Sequence, residues 1–386
     1  MNFREKLLDI TISLIKIISR ILPLKNQIIF ESIPNLSDNT FFLYKKMIEK
    51  GYNKKYKMIW FLNTPYNGEP LPKNVYTKNY PTYHFTEKID YCRTICRSKF
   101  IIDCNHYIHK ENPKQKRIHL KHGLPFKDAS FYNYEIGEID LLSVPSEYWV
   151  PVCAEEHQVD ISLVKPLGFP RNDVLIPKSH EAVNIIWMPT YISSASVKSD
   201  GRLNLIKKMP FGIPCIDNIE QLEKVNELFR KNNATLYIRF HPAQDTSLVS
   251  ATQMSNIVLC DDSFLKNNNT TLYGFLCNTD ALISDYSSIY YDYLNLDKPI
   301  ALVTKFFNEY KNECNSLKYS YEEFTEKFPA VFVNSYDELL VFFNKIFNGE
   351  DPDAKNRKTV REKYMPEKNI DSSENIINYM KKHFKF

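Results

Sequence analysis

Short apolar runs recur along this chain, separated by stretches whose apolar residues fall at helical spacing. In the first half the runs are Gln27 to Phe30, Met58 to Leu62, Phe100 to Asp103, Arg117 to Leu120, Leu141 to Val144 and Val164 to Leu167. In the second half they are Asn184 to Met188, Thr235 to Phe240, Ile257 to Cys260, Ala281 to Ile283, Ile300 to Val303 and Ala330 to Val333. Brief runs spaced by helices predict βαβ units and parallel sheets. Two such sets, joined near Pro177 to Glu181, predict an α/β protein of two doubly wound, Rossmann-like domains facing a cleft, residues 25–178 and 179–365, with a C-terminal helix over 366–386.

Local signals refine this outline. Gln221 to Lys231 reads as an amphipathic helix feeding the strand at Thr235, and Ser335-Tyr336-Asp337-Glu338 as a capping box opening a helix from Leu339 to Phe347, closed by Gly349. Lys198 to Pro214 has no period and contains Gly201, Pro210, Gly212 and Pro214, which predicts a loop near the cleft and an acceptor-side lid. At the N-terminus Phe3, Leu7, Ile10, Leu14, Ile17 and Ile21 recur at helical spacing, with Glu5, Asp9, Lys16 and Arg20 on another face and Pro23 as the stop. Too many charges interrupt this stretch for a membrane span. Residues 1–24 are expected to lie on an anionic membrane surface as an amphipathic helix, the other reading being a helix packed on the body of the protein.

Composition narrows the function classes. The chain has 386 residues, 43% of them hydrophobic and 14% aromatic, enough for a large core, and its formal charge of +4 gives no reason to expect nucleic acid. The basic runs Lys355-Asn356-Arg357-Lys358 and Lys381-Lys382-His383-Phe384-Lys385 read first as solvated surface. Nine glycines include no GxGxxG and no P-loop, so a dinucleotide oxidoreductase or P-loop kinase lacks its main support. Eight cysteines include no CxxC pair, and Asp261-Asp262 reads as a turn, so no metal and no cofactor are expected.

Candidate chemistry lies in loops that follow strands, where open α/β sheets collect ligands. Lys121-His122-Gly123-Leu124-Pro125-Phe126-Lys127 follows one apolar run, and Arg239-Phe240-His241-Pro242 ends another. A histidine with cationic neighbours can exchange protons near neutral pH and meet phosphate charge. Ser284-Asp285-Tyr286-Ser287-Ser288 leads from a short strand into an amphipathic stretch, a sequence suited to helix capping and to holding an anion on backbone N–H groups. Either histidine alone reads equally well as a capping or solvated residue.

Five blocks carry a resemblance: His122 to Lys127, Gly168-Phe169-Pro170-Arg171-Asn172-Asp173, Met188-Pro189-Thr190, Arg239 to Pro242, and Ser284 to Tyr293 followed by Lys298-Pro299-Ile300. In this order, from about Lys25 to Asp371-Ser372-Ser373, the chain resembles the CDP-glycerol glycerophosphotransferase family, which builds teichoic acids and related polyol-phosphate polymers of walls and capsules. Leu124 stands where the family has threonine, Ile192 where arginine is common, and the glycine expected after Phe30-Glu31-Ser32 is missing. These departures bear on donor polyol and acceptor more than on reaction type.

The resemblance implies a GT-B fold and transfer of a polyol phosphate, glycerol phosphate first, from a CDP-activated donor to a hydroxyl of a lipid-linked or polymer acceptor. His122 would be general base on the acceptor side, with Gly123, Lys127, Arg171 and Asn172 as acceptor or phosphate contacts. His241 would stabilise the departing CMP, with Arg239, Pro189, Thr190, Ser284, Asp285, Ser287, Ser288 and Asp292 around the donor. Such an enzyme would work in the cytoplasm, peripheral on the inner face of the cell membrane. A GT-B glycosyltransferase using a CMP- or UDP-activated sugar and a non-catalytic membrane-bound assembly factor are the competing classes.

Overall fold

The computed structural model describes every residue except 1–2, 83, 106–107, 126–136, 191–208, 242–248, 250–253, 315–316, 318 and 367–370. The chain forms two compact units: Met1–His122, Tyr134–Asp173 and Asn369–Phe386 make the first, Gly123–Asn133 and Val174–Lys368 the second. Most of the predicted loop from Lys198 to Pro214, and Lys127, fall outside the described residues.

The first unit is built on seven parallel strands: β1 (Lys25–Glu31), β2 (Lys57–Leu62), β3 (Val75–Asn79), β4 (Ser98–Asp103), β5 (Lys116–His119), β6 (Leu141–Ser143) and β7 (Val164–Lys165), ordered β3-β2-β1-β4-β5-β6-β7. Its helices include α1 (Phe3–Ile21), α2 (Asp38–Glu49), α3 (Phe85–Arg97) and α4 (Trp149–His157). Ile28 and Phe30 share one core with Leu43, Met47, Trp60 and Ile102. Ile29 faces the other way, into a core with Ile59, Phe61, Ile95 and Ile101. Apolar residues on both faces are what a fully sheathed parallel sheet demands.

Residues from the far end of the chain complete the first core. The helix Ser372–Phe384 inserts Ile376, Ile377 and Met380. Phe386 stacks its ring on Tyr56 at 5.0 Å and on Tyr52 at 4.8 Å. Asp173 holds the start of this helix by accepting from Ser372 N, Ser373 N and Ser373 Oγ at 2.8, 2.9 and 2.6 Å. Gly168, with φ +93°, lies so close that a Cβ there would collide with Ser372 Oγ.

In the second unit, six parallel strands, β8 (Val183–Trp187), β9 (Ala234–Ile238), β10 (Ile257–Leu259), β11 (Ala281–Ser284), β12 (Ile300–Val303) and β13 (Val331–Val333), run in the order β10-β9-β8-β11-β12-β13. Helices of this unit include α5 (Ile219–Lys231), α6 (Asp262–Asn267), α7 (Leu272–Leu276) and α8 (Ile289–Tyr293). In both sheets the strand order reverses beside the first strand of the unit, the doubly wound pattern that opens a crevice at the carboxyl ends there. The α/β class with two doubly wound parallel sheets, expected from the apolar runs, is thus present.

Two local expectations need correcting. The strand Val75–Asn79 was not anticipated: Val-Tyr-Thr-Lys-Asn lacks a continuous apolar run because it edges the sheet and only Val75 is buried. At Ser335 the hydroxyl caps Glu338 N at 3.2 Å, but the Glu338 carboxylate accepts from Asn334 N at 2.6 Å instead of closing the box, whereas a complete capping box stands at Ser320 and Glu323.

α1 packs through Leu8, Ile12, Ile15 and the buried Ser19, leaving Leu7, Ile10, Leu14, Ile17 and Ile21 exposed. Asn112 Nδ2 donates to Ser19 O at 2.8 Å and Lys16 pairs with Glu111 at 2.7 Å, fixing the helix to the body. Among the described residues no helix is long and apolar enough to cross a membrane.

At the crevice of the first sheet, β1 and β4 end in Glu31 and Asp103, direct partners in register and both fully buried. Asp103 accepts from Arg117 Nε at 2.6 Å and from His119 Nδ1; burial pushes its carboxyl up, but the Arg117 charge and these two hydrogen bonds outweigh that and hold it below the usual carboxylate range. Glu31 accepts from Asn105 N at 3.2 Å, and its Oε1 has no hydrogen-bond partner among the described residues. Burial, reinforced by Asp103, pushes the Glu31 carboxyl up to about 8. An acid raised in the folded state stabilises most below its unfolded value and loses that contribution as pH climbs through the folded value, at roughly 1.4 kcal/mol per unit. Glu31→Gln should therefore match the parent in melting temperature near pH 4.5 and melt higher above pH 8, as thermal denaturation across that range would record.

Candidate active site

His122 follows β5 by three residues, and its loop is anchored from several sides. The Asn39 side-chain amide donates to Leu120 O and Lys121 O at 3.2 and 2.9 Å, and its Oδ1 accepts from Arg171 N at 3.1 Å. Lys121, buried and with φ +52°, sets its ammonium between Glu156 Oε2 at 2.5 Å and His157 Nε2 at 2.9 Å. Arg171 donates from Nη1 to Asp38 Oδ1 at 2.7 Å and to the His122 carbonyl, while Phe169 lies against its guanidinium with 5.1 Å to the ring centre.

The imidazole itself is paired: His122 Nδ1 meets Asp38 Oδ2. Burial pushes the Asp38 carboxyl up, but Arg171 and His122 outweigh it and hold the group well below the usual carboxylate range. An ionised carboxylate only accepts, so Nδ1 carries the proton and Nε2 is the basic nitrogen. The carboxylate side chain is 5% exposed and the imidazole 63%, which leaves the ring open to a reactant. An oriented, carboxylate-backed imidazole is suited to take a proton from an alcohol.

In the second unit the loops after β8 and β11, neighbours at the crevice of that sheet, are clamped together. Asp285 accepts from Thr190 N through both oxygens at 2.9 and 2.8 Å, from Thr190 Oγ1, and from Tyr286 N at 2.6 Å. Ser284 Oγ donates to Met188 O at 2.8 Å. Pro189 and Thr190 are buried within this clamp. Gly123, the residue after His122, lies against the same loop: a Cβ there would come within 2.8 Å of Ser288 Oγ. Tyr291 Oη donates to Pro125 O at 3.3 Å, seating this segment on α8. Ser287 Oγ accepts from Ile289 N at 3.5 Å, and Ser288, at the helix start, makes no side-chain cap.

Other sequence candidates are placed as follows. Arg239 spends Nη1 on Cys260 O at 2.7 Å and Nη2 on Asp262 at 2.6 Å, which ties β9 to α6. His241, just past β9, is exposed. Asp292 is 2% exposed within α8, and Lys298 donates to Thr279 O at 2.6 Å inside the fold. Asn172 has both side-chain amide atoms buried without a hydrogen-bond partner among the described residues. Among those residues no cluster of three His, Cys, Asp or Glu is placed to hold a metal. Asp38, Asn39 and the Lys121–Glu156–His157 group were not singled out from sequence. The available signal was Ser37-Asp38-Asn39, a helix-start pattern soon after a strand.

This two-sheet arrangement is shared with the wall teichoic acid polymerase TagF, whose structure superposes with a TM-score of 0.72 over 97% of this chain and 93% of that one, at 18% identity. The fold is therefore that of GT-B-type enzymes. The chain belongs to the CDP-glycerol:poly(glycerophosphate) glycerophosphotransferase family, whose profile matches residues 14–382. It is 24% identical to the teichoic acid ribitol-phosphate polymerase TarL of Staphylococcus aureus (strain NCTC 8325 / PS 47), over 84% of this chain and 58% of that protein. It is 23% identical to the teichoic acid glycerol-phosphate transferase of the same strain, over 88% of both chains. The chain thus spans little more than half of the polymerase and most of the transferase.

Removing one member of a buried ion pair strands the other, at about 3 to 5 kcal/mol. Arg171→Met should lose stability on that order in denaturant unfolding, because Asp38 is left buried, whereas His122→Ala, at the exposed end, should lose far less.

Proposed function

We propose that this protein transfers a polyol phosphate, most directly glycerol phosphate, from a CDP-activated donor to a hydroxyl of a lipid-linked or polymer acceptor. The observation that carries this reading is the Asp38–His122 pair, a ready general base in a chain of this family. The match over 88% of both chains favours the glycerol-phosphate transferase over the longer ribitol polymerase as a guide to the donor.

In the reaction, His122 Nε2 takes the acceptor hydroxyl proton as that oxygen bonds to the β-phosphorus. The bond from the β-phosphorus to the bridging oxygen breaks, and CMP leaves with that oxygen. The hydroxyls and N–H groups of the Ser287–Ser288 turn are assigned to the pyrophosphate together with His241. Asp285 keeps that turn in place through Thr190. Arg239, engaged with Asp262, is assigned to holding the loop of His241. The exposed stripe Leu7, Ile10, Leu14, Ile17 and Ile21 supports a place on the inner face of an anionic cell membrane, near a lipid-linked acceptor.

The test is CMP release from CDP-glycerol and CDP-ribitol, beside nucleotide release from CMP-sialic acid and UDP-sugars. His122→Ala and Asp38→Asn should each lower turnover by roughly a hundred- to ten-thousandfold, with CDP-glycerol binding retained by calorimetry. Turnover within threefold of the parent in His122→Ala would remove the base assignment. Nucleotide release from a sugar donor alone would make the enzyme a glycosyltransferase, and release from none would leave an assembly factor.

A further inference from the structure

We infer that Glu156 and His157, the last two residues of α4, are positioning residues for the base, holding through Lys121 the turn that presents His122; the idea rests on the reaction proposed above and extends it to a second helix. β5 ends at His119, and only Leu120 and Lys121 separate it from His122. Lys121 has φ +52°, in the region that a side chain disfavours and that glycine occupies freely. The two neighbouring side chains then part: that of Lys121 is 5% exposed and that of His122 63%. The lysine is the inward anchor of a residue that faces outward.

The anchor is built from α4. Lys121 Nζ donates to Glu156 Oε2 at 2.5 Å and to His157 Nε2 at 2.9 Å, and that same carboxylate oxygen lies 3.8 Å from His157 Nε2, so the three groups close a triangle. The carboxyl end of a helix carries partial negative charge, which favours a cation at this end of α4. His157 is buried and sets its ring edge-on to that of His119, 5.8 Å between ring centres, while His119 Nδ1 is held by Asp103 at the end of β4. The anchor is therefore itself fixed to the ends of two strands.

A separate brace acts on the backbone. Asn39, in the first turn of α2, donates to the carbonyls of Leu120 and Lys121, and Asp38 beside it orients the imidazole. α2 thus fixes the carbonyls and the ring, and α4 fixes the one side chain between them. A buried ion pair adds little stability over apolar residues of similar volume. What it contributes here is direction: a working base must keep its place to within about 0.5 Å, and a misplacement of about 1 Å costs roughly a hundredfold. A straight apolar side chain in place of Lys121 would fill the same space without fixing the turn.

Steady-state CMP release, together with nitrogen NMR of the full chain carrying isotope-labelled histidine and assigned with His122→Ala, tests this. Lys121→Met should lower kcat by roughly ten- to a hundredfold at unchanged KM for CDP-glycerol, and Lys121→Arg should recover part of the loss. His157→Phe, which keeps a ring but offers the ammonium no acceptor, should lower kcat in the same way. Lys121→Met should also melt lower, because Glu156 is left buried without its cation. Lys121→Met/Glu156→Gln should regain that melting temperature and keep the low kcat, a separation that a merely stabilising ion pair does not give. In the parent the His122 ring should show one tautomer with its proton on Nδ1, replaced by exchange-broadened signals in both Lys121→Met variants. Turnover of Lys121→Met within about threefold of the parent, or recovery of kcat together with melting temperature in the double variant, overturns the positioning role, and parental kcat in His157→Phe removes His157 from it. A parent that releases no nucleotide from any donor overturns the reaction instead; the ring signals then decide the positioning role, and an unaltered His122 spectrum in Lys121→Met overturns it.

Discussion

A parallel sheet sheathed by helices has no free face, and this constraint governs where chemistry can occur in the chain. The central strands are buried on both sides, so reactive groups collect where strands stop. His122 follows β5, Asp38 follows β1, Thr190 follows β8 and Asp285 follows β11. At the carboxyl end of the first sheet two buried acids sit side by side and differ in kind: Asp103 is met by Arg117, while burial pushes the Glu31 carboxyl up.

Charge pairing then shapes the loops. Asp38 and Lys121 are non-glycine residues with φ of +58° and +52°, a backbone conformation costing on the order of 1 kcal/mol or more. Each is held there by its polar partners, Arg171 and His122 for the first, Glu156 and His157 for the second. The same bonds that satisfy buried charges therefore set the direction of the imidazole. Pairing also orients Arg239, whose guanidinium meets Asp262 at 2.6 Å.

The strands were legible because sheathing on both faces leaves a continuous apolar signature, as in Gln27-Ile28-Ile29-Phe30 and Ile300-Ala301-Leu302-Val303. β3 was not, since an edge strand is freed from that requirement. His122 was legible from its position after a strand and from its motif. Its partner Asp38 was not, because the pair is separated by 84 positions and joined only by folding. Asp285 was visible as a loop organiser, but its particular partner, Thr190, emerges only where β8 and β11 lie side by side.

The return of the last helix to the first unit has a consequence for biogenesis. Ile376, Ile377, Met380 and Phe386 belong to the core built by β1, β2 and β4. During synthesis these strands must wait, with that core unfinished, until the helix Ser372–Phe384 follows, by which point the second unit already has its whole sheet. Order of emergence and order of completion are thus reversed between the two units.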